Sequence, residues 1–477
     1  MIKRLLYLAL FLPSALWAQI AEVRTYGGDF FDEGRQIIET ADGYIMVGTT
    51  SSVQNGNSAI SVIRLNDDLT VNWSKEYGGI GADQGRSICA RTAGGFFVLG
   101  QTNAGEIGEY DIVLYAIDEL GNEEWVKYYG GTDWDLPAKI EAGLTSYFIG
   151  ATTYNDDFGG TDQLLLEIDS DGIVMNTTAY DLLPNGEMAD LKWYEGFLYT
   201  IGTRSNSGGT PQGVMRKIAE DGTVIWQDVK DSTSFTGLAI TASIFGVTGA
   251  YGMTDVVQSN TIDLVVVHLD PVDGSELWSF WANTPDAGNQ YARALIWGSD
   301  EVISVSETDT YGDGGLGALI VRSYFENGFY IGGSIFGGSQ DEEPFSIIKD
   351  SAGRIVILGR TNSYGSGSDD FYLVRTPDEE IVNDYELDLF DFLEVIVTNI
   401  AEAEGDSSWA PYPNPASNII HLPEAANVTT WTLYSPLGVL VSTGIGRTVQ
   451  VDQLPSGTYL LKWGDEKGFT ISKVCVQ

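Results

Sequence analysis

Apolar residues along this chain fall in short runs, each closed by Gly, Asp, Asn or Ser, and nowhere after the first dozen residues do they keep a helical period. The stretch from Trp73 to Gly131 is representative. It opens Trp73-Ser74-Lys75-Glu76-Tyr77-Gly78-Gly79 and closes Trp125-Val126-Lys127-Tyr128-Tyr129-Gly130-Gly131. Strand-like runs fall near 86–91, 95–101, 111–117 and 123–129. Turn residues separate them: Thr92-Ala93-Gly94-Gly95, a loop after Thr102, and Glu119-Leu120-Gly121-Asn122. Short β-rich runs bounded by such turns predict antiparallel strands. Ile112 to Ile117 is apolar on both faces, as a strand packed between two layers must be.

The unit recurs. Positions equivalent to Trp73 are Glu22, Trp125, Asn176, Trp226, Trp278 and Gly332, spaced 50 to 54 residues apart. Four short strands per repeat of about 50 residues describe a propeller blade. The repeats begin on a fourth-strand piece, Glu22 to Tyr26, and end on a third-strand piece, Asp370 to Arg375. Six full units plus these fragments predict an all-β, seven-bladed propeller over 19–376, the N-terminal strand completing the last blade. Asn176 replaces the Trp, and Gly-Gly is missing near 181, 231 and 283, so six or eight blades stay open.

The flanks differ. Residues 1–18 read as a secretory signal: Lys3 and Arg4, then a short apolar run broken by Pro13. No transmembrane segment is expected after its removal. Residues 377–408 are acidic with interleaved Leu387, Phe390, Phe392, Val395 and Val397, which predicts a linker that partly docks as a strand on the propeller's side, the alternative being a wholly disordered linker. Residues 409–477 carry strand-like runs at 429–434, 438–441 and 457–463, and predict a small Ig-like β-sandwich.

That last segment contains Tyr412-Pro413-Asn414-Pro415-Ala416-Ser417, then Leu433-Tyr434-Ser435-Pro436-Leu437-Gly438, then Leu454-Pro455-Ser456-Gly457-Thr458-Tyr459, and a terminal Lys473-Val474 strand. It resembles the C-terminal sorting domain of type IX secretion substrates in Bacteroidetes. The resemblance implies export through the type IX machinery, engaged by 409–477, followed by surface attachment or release. Pro413, Asn414, Pro415, Gly438, Gly457, Tyr459 and Lys473 carry the motif. The repeats resemble secreted Bacteroidetes propeller repeats of the form Trp-x-x-x-Tyr-Gly-Gly … Gly-x-Thr, which implies a fold and no settled activity.

Composition narrows the partners. With 67 acidic against 25 basic residues the net charge is −42. Phosphate backbones are bound by Lys and Arg, so nucleic acid is excluded as a partner. Two cysteines, Cys89 and Cys475, form no disulfide framework, and two histidines, His268 and His421, form no His-rich metal site. No Ser/His/Asp or Cys/His set is visible, so the chain is read as a non-enzyme.

Candidate chemistry lies on the loops. Those entering each first strand and joining second to third strands are long, share one face, and include Gly27–Gly34, Gly78–Gly85, Thr361–Asp370. Asp32, Asp83 and Asp135 each follow a Gly-Gly pair by four residues, and Asp341 and Glu342 occupy the matching region of the last copy. Such a ring could hold Ca²⁺ through oxygen ligands or hydrogen-bond sugar hydroxyls; it could equally be local turn chemistry. No cofactor is expected otherwise. Asp169-Ser170-Asp171-Gly172 reads as a turn rather than a calcium loop. The repeated Trp73, Trp125, Trp226 and Trp278 read as core rather than sugar platforms. The resulting expectation is a secreted or cell-surface binding or adhesion scaffold for a glycan, surface protein or cation. The alternative is a glycan-active lyase or hydrolase using carboxylates in the channel.

Overall fold

The computed structural model describes residues 21–376 apart from 53–56, 79–80, 105–108, 156–159, 181–184, 231–233, 244–245, 256–260, 283–287, 299–300, 310–314, 325–326, 329 and 366–367. It also describes 393–396 and, between 412 and 476, all but 413–415, 423–429, 435–439, 453, 455–456 and 466–467. The proposed signal, most of the acidic linker, and Pro413, Asn414, Pro415 and Gly438 lie outside these residues.

Seven antiparallel four-stranded sheets form the blades, at residues 32–77, 84–129, 135–180, 186–230, 234–282, 290–336 and 342–375. The seventh is completed by Glu22–Tyr26, which pairs with Asp370–Arg375 in the register Glu22↔Arg375 to Tyr26↔Phe371. The ring is therefore closed by the chain's first strand, and no long strand edge is left at the seam. Trp73, Trp125, Asn176, Trp226, Trp278, Gly332 and Glu22 all occupy the same rung, opposite Arg64, Ala116, Glu167, Lys217, His268, Arg322 and Arg375.

The cores lie between blades. Phe97, Leu99 and Leu114 of blade 2 pack with Tyr147, Ile149 and Leu166 of blade 3. Each such side chain contributes roughly 1.5–3 kcal/mol by leaving water. That is why the middle strands are apolar on both faces: Phe96–Thr102 and Asp111–Ile117 are buried throughout.

The recurring motifs are the joints of the ring. Trp73 of blade 1 lies over Gly121 in the outer turn of blade 2, where a Cβ would sit 2.8 Å from the indole. Its Nε1 donates to Glu119 O at 3.3 Å, and Tyr77 Oη donates to Gly121 O at 2.7 Å. Tyr129 and Tyr180 make the same bond to Gly172 O and Gly222 O. Trp-x-x-x-Tyr is thus a staple holding the next blade's turn, which requires glycine at a φ of 74° for Gly121.

Every first strand carries a β-bulge at the same place, between Gly34/Gln36, Gly85/Ser87, Pro137/Lys139, Met188/Asp190, Gly237/Ala239, Ala292/Ala294 and Pro344/Ser346. The glycine of Gly-x-Thr accommodates it: a Cβ on Gly48 or Gly359 would lie 1.8 or 2.0 Å from the carbonyl oxygen of Glu33 or Glu343. After the bulge, side chains bond the next blade's backbone. Gln36 Oε1 accepts from Ile88 N at 2.9 Å, Ser87 Oγ from Ile140 N at 3.0 Å, and Asp190 Oδ2 from Ile240 N at 3.0 Å.

Leu393–Ile396, from the linker, adds a fifth antiparallel strand to the outer edge of blade 5, pairing Ser279↔Ile396 and Ala282↔Leu393. The C-terminal region holds a two-stranded sheet, Ile419–His421 with Thr448–Gln450, and a four-stranded sheet of Leu440–Ile445, Thr430–Tyr434, Gly457–Asp465 and Gly468–Val476. Ile420 and Val449 of the first share a core with Trp431, Leu461 and Trp463 of the second. Among the described residues no helix is long and apolar enough to cross a membrane.

Candidate functional site

The carboxylates singled out in the sequence are buried beneath the loops. Asp32, Asp83, Asp135 and Glu342 are 2, 2, 3 and 0% exposed. Asp32 Oδ2 accepts from Gly28 N at 2.7 Å and from Ser52 Oγ at 2.9 Å. Asp135 Oδ2 accepts from Gly131 N at 2.7 Å, and Glu342 Oε2 from Gly338 N at 2.6 Å. Asp83 lies against Gly78 in the same way; the glycine equivalent to those donors, Gly79, is outside the described residues. Asp341 is partly exposed and accepts from Leu316 N at 2.9 Å. Asp32, Asp83, Asp135 and Glu342 thus fold the Gly-Gly turns that enter blades 1, 2, 3 and 7. Asp169 behaves likewise, accepting from Asp171 N and Ile173 N. Among the described residues no group of three or more His, Cys, Asp or Glu is placed to hold a metal ion.

What faces the central channel is the bulge. A bulge turns its extra residue out of the ladder, and here all seven, Arg35, Arg86, Ala138, Ala189, Leu238, Arg293 and Phe345, line one cavity of about 620 Å³. Their chemistry is split by sector. Blades 6, 7, 1 and 2 contribute Arg293, Phe345, Arg35 and Arg86, whereas blades 3, 4 and 5 contribute Ala138, Ala189 and Leu238. At the long-loop end the polar sector widens into a recess of about 350 Å³ lined also by Phe31, Glu33, Thr49, Gln84, Glu343 and Arg360.

The charge there runs against the charge of the chain. Six cationic side chains and two carboxylates line the channel in a protein of net charge −42. Most are compensated. Arg35 makes a bidentate pair with Glu33 at 2.8 and 3.0 Å and lies 4.0 Å from the Phe345 ring centre. Arg293 Nε donates to Glu307 at 3.1 Å, and Arg360 pairs with Glu343. Burial raises the Glu307 carboxyl, opposed by Arg293. Lys139 bonds Asp190 at 2.8 Å; burial works against its charge, and Asp190 and Glu141 outweigh it to leave the ammonium raised.

Arg86 differs. Its guanidinium reaches only amide oxygens, Gln84 Oε1 at 3.0 Å and Gln101 Oε1 at 3.2 Å. Its Nε is buried with no hydrogen-bond partner among the described residues. Burial first, and the charge of Arg35 second, lower its pKa to about 10.

Exposed aromatics mark the same face. Phe30, Trp134, Tyr154 and Tyr364 are 40–62% exposed; Phe30, Trp134 and Tyr364 sit in loops entering first strands or joining second to third strands, and Tyr154 at the end of the second strand of blade 3, Tyr147–Asn155. The repeated tryptophans are not among them: Trp226 and Trp278 are buried, and Trp73 and Trp125 half-buried in the staples. Cys89 is a buried free thiol whose pKa burial raises. Sequence reasoning passed over the arginines. Their signal was Arg three residues after the turn carboxylate in Asp32-Glu33-Gly34-Arg35 and Asp83-Gln84-Gly85-Arg86.

Residues 410–477 match a family described as the secretion system C-terminal sorting domain. Gly457–Asp465 and Gly468–Val476, the strands that carry Gly457, Tyr459 and Lys473, form its last hairpin. A comparison with curated proteins finds no match. Solved structures that superpose include polysaccharide lyase Uly1, at 9% identity and a TM-score of 0.47 over 74% of this chain and 91% of that one. Sqt1 from Chaetomium thermophilum superposes at 10% identity and a TM-score of 0.43, over 74% of this chain and 99% of that one. A subtype N10 neuraminidase-like protein of A/little yellow-shouldered bat/Guatemala/060/2010 does so at 8% identity and a TM-score of 0.39, over 61% and 95%. Likeness at this level says nothing about activity.

Proposed function

We propose that this type IX secretion substrate, a secreted or cell-surface seven-bladed propeller, is a non-catalytic scaffold that binds a glycan on its long-loop face. The observation that carries the reading is the placement of Phe30, Trp134 and Tyr364 on the loop set into which the channel opens, with Tyr154 at the strand end that borders it, all of them half-exposed aromatics. Exposed aromatic rings are costly in water and suit the apolar faces of sugars. The channel adds non-repeated Arg, Gln and Phe side chains to that face.

A binding role is favoured over catalysis because the carboxylates at the mouth are tied down. Glu33 is held by Arg35 and Glu343 by Arg360. A general acid must reach the leaving group and pass its proton on, and a carboxylate clamped by an arginine is not free to do so. The turn carboxylates are held by backbone donors. The deciding experiment incubates the secreted protein with a glycan array and measures reducing ends released from every glycan it retains. Retention without release is expected. Release of reducing ends would assign the glycan-active alternative, and retention of no glycan would overturn the scaffold reading.

A further inference from the structure

We infer that the ligand taken in the channel carries a carboxylate, and that Arg86 is the group reserved for it: the site is built for an acidic sugar, not a neutral one. This rests on the glycan-binding reading above and names the chemical class that reading leaves open.

The argument begins with an imbalance. The chain has 67 carboxylates and 25 Lys and Arg, so a buried guanidinium has no shortage of negative partners. Arg35, Arg293 and Arg360 each have one. Arg86, in the same sector and at the same bulge position as Arg35, contacts two neutral glutamines. The charge of Glu33 opposes the shift without reversing it, and a buried cation with no carboxylate in hydrogen-bond contact is unfavourable and persists where something else compensates it. The next arginine, Arg35, adds repulsion, and the lowered pKa of Arg86 reports both effects. An incoming anion would relieve them together. Glu33, the carboxylate that could have served Arg86, is bound bidentately by Arg35.

Geometry selects the anion. Gln84 and Gln101 both accept from Nη2 and Nε is buried and unbonded, which leaves Nη1 as the donor end open to a ligand. A charged donor of this kind makes its strongest hydrogen bond to an anionic oxygen such as a carboxylate's. The bulges that follow Arg86 around the ring are Ala138, Ala189 and Leu238, beside the paired Lys139–Asp190 and Lys192–Glu141, and they leave small apolar surfaces against which the carbon face of a pyranose can pack. A guanidinium without a carboxylate partner, near small apolar bulges in a space of about 620 Å³, fits a sugar acid at the end of an acidic glycan.

The test uses full-length secreted protein and calorimetric titration with oligogalacturonate, with the same oligosaccharide fully methyl-esterified, and with monomeric galacturonate. Free acid should bind about tenfold or more tightly than ester, the scale of one lost charge-assisted hydrogen bond. Tighter binding of the oligomer than of the monomer would place a glycan chain in the site, and equal binding a free sugar acid; both keep the carboxylate. Arg86→Gln should remove the preference for acid over ester, and Arg86→Lys should keep part of it. The acid-to-ester comparison is made on the unaltered protein, so it stands even if Arg86→Gln folds poorly. Equal affinity for acid and ester overturns the inference while the scaffold reading survives. Binding of neither, with neutral glycans retained on the array, does the same; an array that retains nothing removes the scaffold reading itself.

Discussion

Arg375 Nε donates to Glu22 Oε2 at 2.9 Å, joining residues 353 positions apart across the seam of the ring. The Arg375 side chain is nearly buried and Glu22 half-exposed, and Arg375 also donates to the Asp67 carbonyl of blade 1. One side chain therefore ties the last blade to its borrowed strand and to its neighbour. Arg375→Ala should cost about 1–3 kcal/mol, since hydrogen bonds from a charged donor are lost. Glu22→Gln should cost less, because the half-exposed carboxylate is screened. Urea unfolding gives the totals, and hydrogen exchange should show 22–26 opening ahead of the other strands. Uniform exchange across all blades would contradict a weak point at the seam.

The bulge glycines yield a paired expectation. At Gly359 a Cβ would lie 2.0 Å from Glu343 O, an approach only backbone movement can relieve. Gly359→Ala should destabilise by roughly 1–3 kcal/mol, as overpacking does, and should disturb the channel because the bulge presents Phe345. At Gly94, with a φ of 90° and nothing within 4 Å of a Cβ, alanine meets only the left-handed backbone penalty of about 1–2 kcal/mol. Denaturation of both variants, followed by ligand titration, separates them: only Gly359→Ala should change affinity.

This contrast explains what the sequence could reveal. Trp73, Trp125, Trp226 and Trp278 could be aligned because each packs on the outer turn of the following blade, at Gly121, Gly172, Gly274 and Gly328. Glu22–Tyr26 was readable as a displaced fourth strand because its Tyr26 still makes the staple's tyrosine bond, to Leu69 O at 2.8 Å. The functional candidates sit where repetition fails. A bulge sets no requirement on the residue it turns outwards, so Arg293 and Phe345 carry no mark. Arg35 and Arg86 do share a tetrad, but repetition made it look like turn chemistry. The turn chemistry is real for Asp32, yet the arginine three residues on serves the channel.

The turn carboxylates have a test of their own. Asp135→Ala leaves Gly131 N without its acceptor and should cost about 1–3 kcal/mol of stability, with ligand affinity of the folded fraction unchanged. Melting temperature should be indifferent to millimolar calcium. A calcium-dependent rise that Asp135→Ala abolishes would return these residues to cation binding.

Export should depend on the C-terminal region. Removing residues 409–477 should leave the chain in the periplasm, because the segment matching the sorting domain is gone. Fractionation of cells expressing the full and shortened chains checks this. Normal appearance of the shortened chain outside the cell would show that sorting information lies elsewhere.

Alkali should unfold the ring through its staples. Burial, ahead of any neighbouring charge, pushes the phenols of Tyr26, Tyr44, Tyr180 and Tyr199 up to about 12. Tyr26 and Tyr180 donate to turn carbonyls of the next blade, and Tyr44 to Asp350 Oδ2 at 2.6 Å. Each bond needs the neutral phenol. A folded pKa above the unfolded value of about 10 means the stabilisation is complete below pH 10. It is then lost as pH rises towards 12, by up to about 1.4 kcal/mol per group per pH unit in that window. Ultraviolet titration of phenolate should therefore show these tyrosines ionising late and together with the loss of β-sheet circular dichroism. Phenylalanine at position 26 should remove one late phenol and weaken the closing strand below pH 10 as well, since the bond to Leu69 O is gone at every pH. Ionisation of all tyrosines near pH 10 with the sheet signal intact would mean that the staples are not what holds neighbouring blades in register.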